Sequence, residues 1–380
     1  MDFLFTEEHK ALREMVRGFA RNEIAPLALK MDEDGDYPKE LIGKMAQLGL
    51  MGITMPVEYG GAGMDPLSQV IAMEEISRAS ASISVVMAVN NGLVCEPIYH
   101  YGTEEQKRRY LVKLAKGEIL GCYGLTEPGS GSDALALSTS VKKVSDGYII
   151  NGSKTFISNG FHSDIAIIFA TFDKALGYKG ITAFLVEKGR KGFLVGKKEK
   201  KMGLLGSDTA ELIFDNCHIP AEDLLGKDGE GYKIALTTLD GGRIGIAAQS
   251  IGIAQACLDE SIKYSKQRVA FGRHISDFQA IQWMIADMAT EIEAARWLTY
   301  RAACMRGKGQ EYAKEASMAK LYASEMVNRA AYKAVQIHGG YGYIKDYPVE
   351  RYYRDARVTT LYEGTSEIQR LVIARELLKE

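Results

Sequence analysis

Hydrophobic and polar positions along the chain follow two different periods, which divide it into three regions. In the first region, apolar residues recur at steps of three and four, and Thr6 precedes them as a plausible N-cap. The first of these residues are Leu12, Met15, Val16 and Phe19. A glycine-rich segment, 60–63, interrupts the pattern before it resumes at Leu67. Residues 1–120 are therefore predicted to form an N-terminal helical domain.

Short runs rich in β-branched and aromatic residues fill the middle of the chain, and such runs are typical of strands. The runs cover residues 148–150, 165–169, 181–186 and 211–214. Asp146-Gly147 and Asn151-Gly152 are typical of the tight turns that join antiparallel strands. Residues 121–228 are therefore predicted to form a β domain.

The helical period returns after Gly229 and continues through residues 229–380. The first apolar stripe consists of Ile244, Ala247, Ala248, Ile251, Ala254 and Leu258, and the second of Ile281, Met284, Ile285, Met288 and Ile292. This pattern predicts a C-terminal helical bundle. The fold class that follows is α+β, mostly α.

Composition only excludes some classes of function and does not identify one. The 380 residues carry a net charge of -2, so no global field attracts nucleic acid, and we expect no nucleic-acid partner. No apolar segment of membrane-spanning length and no secretory signal is recognised, which favours a cytoplasmic protein, or a mitochondrial matrix protein if a transit peptide has been removed. The five cysteines have no metal-ligand spacing with the histidines, so no metal site is predicted.

Two segments of the middle region carry candidate binding chemistry. No G-x-G-x-x-G or Walker-type loop is present, so a dinucleotide would need another architecture. The segment 123–133, Tyr-Gly-Leu-Thr-Glu-Pro-Gly-Ser-Gly-Ser-Asp, offers hydroxyls and backbone N–H groups to a planar ring or a phosphate. The segment 154–160 adds an aromatic ring at Phe156. An exposed turn and a core phenylalanine are the alternatives.

These two segments, together with 336–343, 361–370, 268–273 and 277–279, resemble the acyl-CoA dehydrogenases in order along nearly the whole chain. The resemblance is closest to the short-chain, butyryl-CoA type. It implies an N-terminal helical domain, a middle domain resembling an antiparallel β-barrel, and a C-terminal four-helix bundle. It also implies FAD between the last two domains, a homotetramer built as a dimer of dimers, and electron-transferring flavoprotein as the electron acceptor.

The resemblance also implies which residues bind FAD. The loop from Tyr123 to Ser132 would contact the flavin, and Phe156, where many relatives have Trp, would cover its ring. Arg268 would reach the pyrophosphate from the adjacent subunit, although an isolated Arg is equally typical of a surface salt bridge. The implied residues are Tyr123, Leu125, Thr126, Gly131, Ser132, Phe156, Ile157, Ser158, Arg268, Phe271, Gln279, Gln336, Gly339, Gly340, Thr365 and Glu367.

Glu363 is the catalytic base that the resemblance implies. Some branched-chain and long-chain relatives carry their base at the position of Gly242, which this chain cannot use. Glu363 would remove the α-proton of an acyl-CoA while the β-hydride passes to flavin N5, and its backbone N–H would stabilise the developing enolate. A surface glutamate on a helix connection is the alternative. The residues expected to contact the substrate are Ser132, Asp240, Arg243, Tyr362, Gly364 and Asn91.

The acyl group is the least constrained feature. Relatives line the acyl pocket with the segment that reads 84–93 here, and its lack of a cation argues against a dicarboxylic substrate. A butyryl-like chain is the first expectation, whereas Asn90 and Asn91 leave a branched or cyclic acyl group open, unless they are structural amides. A non-catalytic CoA-binding helical protein is a further alternative. Oxidases of this fold carry an extra C-terminal domain, and monooxygenases and nitroalkane oxidases lack or replace the glutamate, so both are disfavoured.

Overall fold

The structure, a computed structural model, describes residues 5–379, so residues 1–4 and 380 of the predicted end domains lie outside the described residues. Helices from both ends of the chain pack together beside a sheet formed by the middle. The α-helices are α1 (Glu7–Phe19), α2 (Ala28–Asp34), α3 (Lys39–Gln47), α4 (Pro66–Ala79), α5 (Ala81–Ala88), α6 (Glu96–Tyr101), α7 (Glu104–Gln106), α8 (Val112–Ala115), α9 (Gly231–Gln267), α10 (Gln279–Gly307), α11 (Ala313–His338), α12 (Val349–Ala356) and α13 (Ser366–Leu377). The strands are β1 (Gly121–Gly124), β2 (Ser140–Val144), β3 (Gly147–Ser158), β4 (Ile165–Thr171), β5 (Ile181–Glu187), β6 (Phe193–Lys198), β7 (Thr209–Pro220), β8 (Leu224–Leu225), β9 (Val269–Ala270) and β10 (Arg273–His274).

The N-terminal region begins as the sequence predicts. Thr6 caps α1 by accepting a hydrogen bond from the backbone N–H of His9, and the His9 side chain accepts one from the Thr6 N–H. Leu12 and Val16 are buried against the fold. The helical run 81–101 is long and apolar enough to cross a membrane by composition, contrary to the prediction, but 89% of its most apolar window is buried within the fold. That burial is typical of a core helix.

The middle region forms one sheet with strand order β6-β7-β3-β2-β4-β5-β8, and β1 joins it on β4. The predicted strand runs fall in β3, β4, β5 and β7, and most pairings are antiparallel. The sheet is nevertheless mixed, because β1 runs parallel to β4 and a single parallel pair joins β2 to β4. The first predicted turn lies between β2 and β3, where Ser145 and Asp146 form the turn and Gly147 begins β3.

The second predicted turn, Asn151-Gly152, is wrong. Both residues lie inside β3, where the register against β7 shifts between Ile150 and Gly152. Gly152 has φ 145°, and a Cβ on it would lie 2.7 Å from the Thr139 Cα. The glycine therefore serves a bulge and a close backbone approach instead of a reversal.

The C-terminal region consists mainly of α9, α10, α11 and α13, with α11 lying along α9 and α13 packed on α11. Every residue of the first predicted stripe, from Ile244 to Leu258, is buried. In the second stripe Met288 and Ile292 are buried, whereas Ile281, Met284 and Ile285 are partly buried. This packing brings α9, α11 and the loop before α13 together, and the candidate site lies there.

Candidate active site

Glu363 lies in the loop between a 3₁₀ turn (Arg357–Thr360) and α13, and its backbone is strained. Glu363 has φ 51° and Gly364 has φ 89°, so two successive residues adopt left-handed conformations. For a residue with a Cβ this costs roughly 1–2 kcal/mol. The fully buried Gln369 stabilises the turn by donating from Nε2 to the carbonyls of Glu363 at 3.1 Å and Gly364 at 2.9 Å. Such a held strain is typical of a functional position.

The Glu363 carboxyl group lies directly over Gly242 of α9. A Cβ on Gly242 would lie 1.8 Å from Oε2 of Glu363, so the two positions compete for the same space. Oε2 is buried, and it has no hydrogen-bond partner among residues 5–379. A buried carboxylate oxygen without a donor is costly, and it is available to accept a proton.

The environment of Glu363 shifts its protonation towards neutral pH. Burial raises the pKa of Glu363 to about 7, and the positive charges of Lys320 and Arg243 partly oppose that rise. Arg243 is itself buried, and it donates to Asp240 Oδ1 at 2.5 Å and to Ser317 Oγ at 3.2 Å. A carboxyl group of this kind is half ionised near neutral pH, which suits a general base.

A chain of hydrogen bonds closes the interior beside Glu363. The hydroxyl of Tyr362 donates to Oε1 of Gln249, and Nε2 of Gln249 donates to Oγ of Ser84 at 3.0 Å. Ser84 in turn donates to the Ala81 carbonyl at 2.8 Å. The Tyr123 ring, buried on β1, contacts Phe169 with a centroid separation of 5.0 Å. These contacts fix the side chains of Tyr362 and Gln249 beside Glu363.

The two candidate loops of the middle region lie side by side. The backbone N–H of Thr155 donates to the Thr126 carbonyl at 2.9 Å. Nζ of the fully buried Lys154 lies 2.7 Å from Oε1 of Glu127, which also accepts from the Thr139 N–H at 2.9 Å. The loop from Leu125 to Glu127 is thereby fixed against β3.

Phe156 presents its ring to solvent instead of the core. It has φ 58° and is 67% exposed, whereas Ile157 beside it is buried. Gly131 and Ser132 are exposed at the end of the neighbouring loop, and Ser158 is partly buried. A strained, exposed aromatic ring beside a loop rich in hydroxyls and N–H groups is suited to cover a planar ligand.

A separate cavity of about 480 Å³ contains three of the predicted cofactor residues, Arg268, Gly339 and Gly340. The Arg268 guanidinium lies 5.7 Å from the centroid of the Tyr341 ring, and no carboxylate of residues 5–379 pairs with it. None of the residues that line this cavity belongs to the Glu363 cluster. Within one chain, the cavity at Arg268 and the residues around Glu363 are therefore two separate sites.

The remaining predicted cofactor residues do not line that cavity. Phe271, at the tip of the β9–β10 hairpin, is 96% exposed, and Gln279 and Gln336 are exposed on helices. Thr365 caps α13 by accepting from the Ile368 N–H at 3.4 Å, and Glu367 is exposed in the first turn of that helix.

The prediction that Asn91 contacts the substrate is corrected by the structure. Asn91 is fully buried, donates to the carbonyls of Leu50 and Met87, both at 2.9 Å, and accepts from the Ile53 N–H at 3.0 Å. Asn90 is buried and bonded to backbone groups in the same way. Both are structural amides, because a buried amide with every strong bond made has nothing left for a ligand.

Models of three acyl-CoA dehydrogenase domains match the chain: the N-terminal domain at residues 6–118, the middle domain at 122–217 and the C-terminal domain at 229–378. The chain belongs to the acyl-CoA dehydrogenase family. A short-chain specific acyl-CoA dehydrogenase of Clostridium acetobutylicum is 50% identical over all of both chains. The solved structure of butyryl-CoA dehydrogenase from Megasphaera elsdenii has a TM-score of 0.98 at 46% identity, covering all of both chains. A chain in the solved structure of the electron transferring flavoprotein of Acidaminococcus fermentans has a TM-score of 0.99 at 49% identity, again over all of both chains.

The enzyme is thus an oxidoreductase of the acyl-CoA dehydrogenase class, and the fold expected from the resemblance is confirmed. The family implies FAD, and the residues present fit that group. The exposed Phe156 ring and the loop from Leu125 to Glu127 provide a flat surface and donors, while Arg268, Gly339 and Gly340 line a cavity with a free guanidinium. No Rossmann motif is needed.

Sequence reasoning missed the buried partners of these groups, namely Lys154, Glu127, Gln249, Lys320 and Gln369. Lys320, however, could have been recognised from its position in the sequence. Lys320 follows Ala316 by four residues and precedes Ala323 by three, so it lies on an apolar stripe of α11 where a lysine is unexpected.

The acid–base state of Glu363 predicts a pH dependence. Because only the ionised carboxylate can accept a proton, the rate of flavin reduction by an acyl-CoA should rise with pH, with a midpoint near 7, and level off above it. Below the midpoint the rate should fall about tenfold per pH unit. Rapid-mixing measurements from acid to alkaline pH test this, and a rate that stays flat through neutral pH would contradict it.

The buried ion pair beneath the loop from Leu125 to Glu127 predicts a loss of stability when its cation is removed. Lys154→Met leaves Glu127 buried without its cation, which should cost about 3–5 kcal/mol and loosen FAD. The matched control is Lys143→Met, because Lys143 pairs with Asp228 at 2.9 Å on the surface, where the loss should stay below about 1 kcal/mol. Denaturant unfolding and the FAD retained after gel filtration measure both variants. Equal stability of the two variants would contradict the assignment.

Proposed function

We propose that the enzyme catalyses the FAD-dependent α,β-dehydrogenation of a short-chain, butyryl-like acyl-CoA to the trans-2-enoyl-CoA, with Glu363 as the base. The observation that carries this proposal is the buried Glu363 carboxyl with a pKa of about 7 and an unpartnered Oε2 over Gly242. The similarity to short-chain and butyryl-CoA dehydrogenases supports the substrate class.

The chain's own residues supply proton transfer and orientation. Oε2 of Glu363, which has no hydrogen-bond partner among residues 5–379, accepts the α-proton of the thioester. The backbone N–H of Glu363, which makes no backbone hydrogen bond to the rest of residues 5–379, donates to the thioester oxygen. The network of Tyr362, Gln249 and Ser84 fixes the Tyr362 side chain beside Glu363. Phe156 and the loop from Leu125 to Glu127 would hold FAD, which, when bound, supplies the acceptor for the β-hydride.

The acyl-pocket segment supports a neutral acyl group. By the resemblance, glutaryl-CoA dehydrogenases carry an Arg in this segment, near the place of Ser84. Ser84 is fully buried and bonded to Gln249 and Ala81. No cation of the segment 84–93 is available to pair with a distal carboxylate. A dicarboxylic acyl-CoA would therefore bury an unpaired charge.

We further propose a homotetramer whose flavin site is shared between subunits. The cavity of Arg268, Gly339 and Gly340 is separate from the Glu363 cluster within one chain, so a neighbouring copy would bring it to the adenosine half of FAD. Phe271, at the tip of the β9–β10 hairpin, is 96% exposed in the single chain and would be covered by such a neighbour. Electron-transferring flavoprotein is the proposed electron acceptor, supported by similarity to the A. fermentans structure. The proposed location is the cytoplasm of a bacterium or archaeon, or the mitochondrial matrix if a transit peptide has been removed.

A kinetic panel tests the substrate proposal. The thioesters are butyryl-, hexanoyl-, octanoyl-, isobutyryl-, cyclohexanecarbonyl- and glutaryl-CoA, each assayed with the same dye acceptor. We expect the highest kcat/KM with butyryl-CoA and no turnover with glutaryl-CoA. A branched or cyclic thioester with a higher kcat/KM than butyryl-CoA would replace the proposed substrate, and a long-chain optimum would refute it.

A further inference from the structure

Lys320 is a fully buried lysine whose role is not explained by ordinary packing. It lies on α11, and its Nζ donates to the Gly364 carbonyl at 2.7 Å. Gly364 follows Glu363 directly in the left-handed turn. Lys320 thus holds the backbone on the C-terminal side of the base.

The hydrogen bond alone does not require a charged side chain. Gln369 already donates to the same Gly364 carbonyl at 2.9 Å with a neutral amide. Lys320 forms no ion pair within 4.0 Å of any carboxylate of residues 5–379. A buried ammonium without a direct counter-ion is costly, so its charge needs another function to be retained.

The charged surroundings identify Glu363 as the main partner of Lys320. After the effect of burial, which lowers the pKa of Lys320 to about 8, Glu363 is the largest influence and opposes the shift. Arg243 from α9 lowers the pKa of Lys320 further, while Glu367 from α13 and Glu325 from α11 raise it. Seen from Glu363, Lys320 is the largest influence that favours the ionised carboxylate, ahead of Arg243. The phenols of Tyr123 and Tyr362 face the same carboxylate and remain protonated.

We propose that Lys320 is a positioning residue for proton abstraction, which holds the Glu363–Gly364 turn through its hydrogen bond and keeps the Glu363 carboxyl ionised through its charge. The inference rests on the proposed function of Glu363 as the base. Without this charge, the buried carboxyl would bind its proton more tightly and fewer molecules would be competent at neutral pH.

The test measures the protonation of Glu363 directly and separately from turnover. The infrared carbonyl band of protonated Glu363, identified by its loss in Glu363→Gln, is titrated with pH in the substrate-free holoenzyme. In Lys320→Met the midpoint should rise by about one pH unit, a tenfold change in proton affinity. The acid limb of the pH–rate profile for flavin reduction should shift by the same amount. Lys320→Arg keeps the charge, so its infrared midpoint and its pH–rate profile should stay close to those of the wild-type enzyme.

The matched control is Lys333→Met on the same helix, because Lys333 pairs with the exposed Asp287 at 3.1 Å. This substitution should leave the titration midpoint of Glu363 unchanged. If Lys320→Met fails to fold, Lys320→Gln keeps a donor for the Gly364 carbonyl and is measured in the same way. If the Glu363 titration midpoint in Lys320→Met or Lys320→Gln equals that of the wild-type enzyme, the proposal is overturned, even if that variant reduces flavin slowly. Because the infrared titration uses no substrate, failure of the proposed dehydrogenation would leave this result standing.

Discussion

Glu363→Gln is expected to slow the reduction of bound flavin by butyryl-CoA about 10²- to 10⁴-fold, because an amide cannot accept the α-proton. The substitution keeps the size of the side chain and removes a carboxyl that has no hydrogen-bond donor to lose at Oε2. Folding and FAD binding should therefore persist. Anaerobic rapid mixing, followed by loss of the flavin absorbance, measures the rate constant.

The control for this variant is Glu293→Gln, which changes a glutamate on α10 that is 52% exposed and, among residues 5–379, forms an ion pair only with Arg296. It should reduce flavin at the wild-type rate. CoA binding in both variants should match that of the wild-type enzyme. If Glu363→Gln reduces flavin as fast as Glu293→Gln, another group is the base.

Gly242→Ala should have the second largest effect, although it adds only one methyl group. The new Cβ would lie 1.8 Å from Oε2 of Glu363 and 2.8 Å from Cδ, which no real contact permits. The carboxyl must therefore move, and a displacement of about 1 Å at a reacting group costs roughly 10²-fold in rate. The rate of flavin reduction should fall by that factor while the protein stays folded.

Gly245→Ala on the same helix is the matched control. A Cβ on Gly245 would meet nothing within 4 Å, so this change should leave the rate unchanged and stabilise the helix by roughly 0.5–1 kcal/mol. The comparison separates the effect of helix propensity from that of the collision with Glu363. Full activity in Gly242→Ala would contradict the observed position of the carboxyl.

Periodicity predicted the elements that depend on local pattern. The Thr6 cap, the strands of the middle region and the buried stripe of α9 all follow from spacing and propensity. Asn151-Gly152 failed because the same dipeptide suits a turn and a bulge, and the close approach of Thr139 decides between them. The parallel pairing of β1 with β4 joins residues far apart in sequence, which no local pattern indicates.

In the site as well, residues in sequence motifs were predicted, whereas roles that depend on tertiary packing were not. Glu363 and the flavin loops were predicted from motifs that resemble the family, whereas Asn91 was misassigned because only tertiary packing shows that its amide is satisfied. The Lys320–Gly364 contact joins α11 to a loop 44 residues later, and its meaning depends on burial. Gly242 contributes no side chain to the site, and its importance is the space that it leaves for the Glu363 carboxyl.

In the proposed reaction, FAD and Glu363 together dehydrogenate a short-chain acyl-CoA. An anaerobic titration of the purified wild-type holoenzyme with butyryl-CoA tests it most directly. We predict that the flavin absorbance is bleached as butyryl-CoA is added, with enoyl-CoA formed in proportion, and that the same titration of Glu363→Gln leaves the absorbance unbleached on that timescale. A flavin that stays fully oxidised in the wild-type enzyme would contradict this reaction.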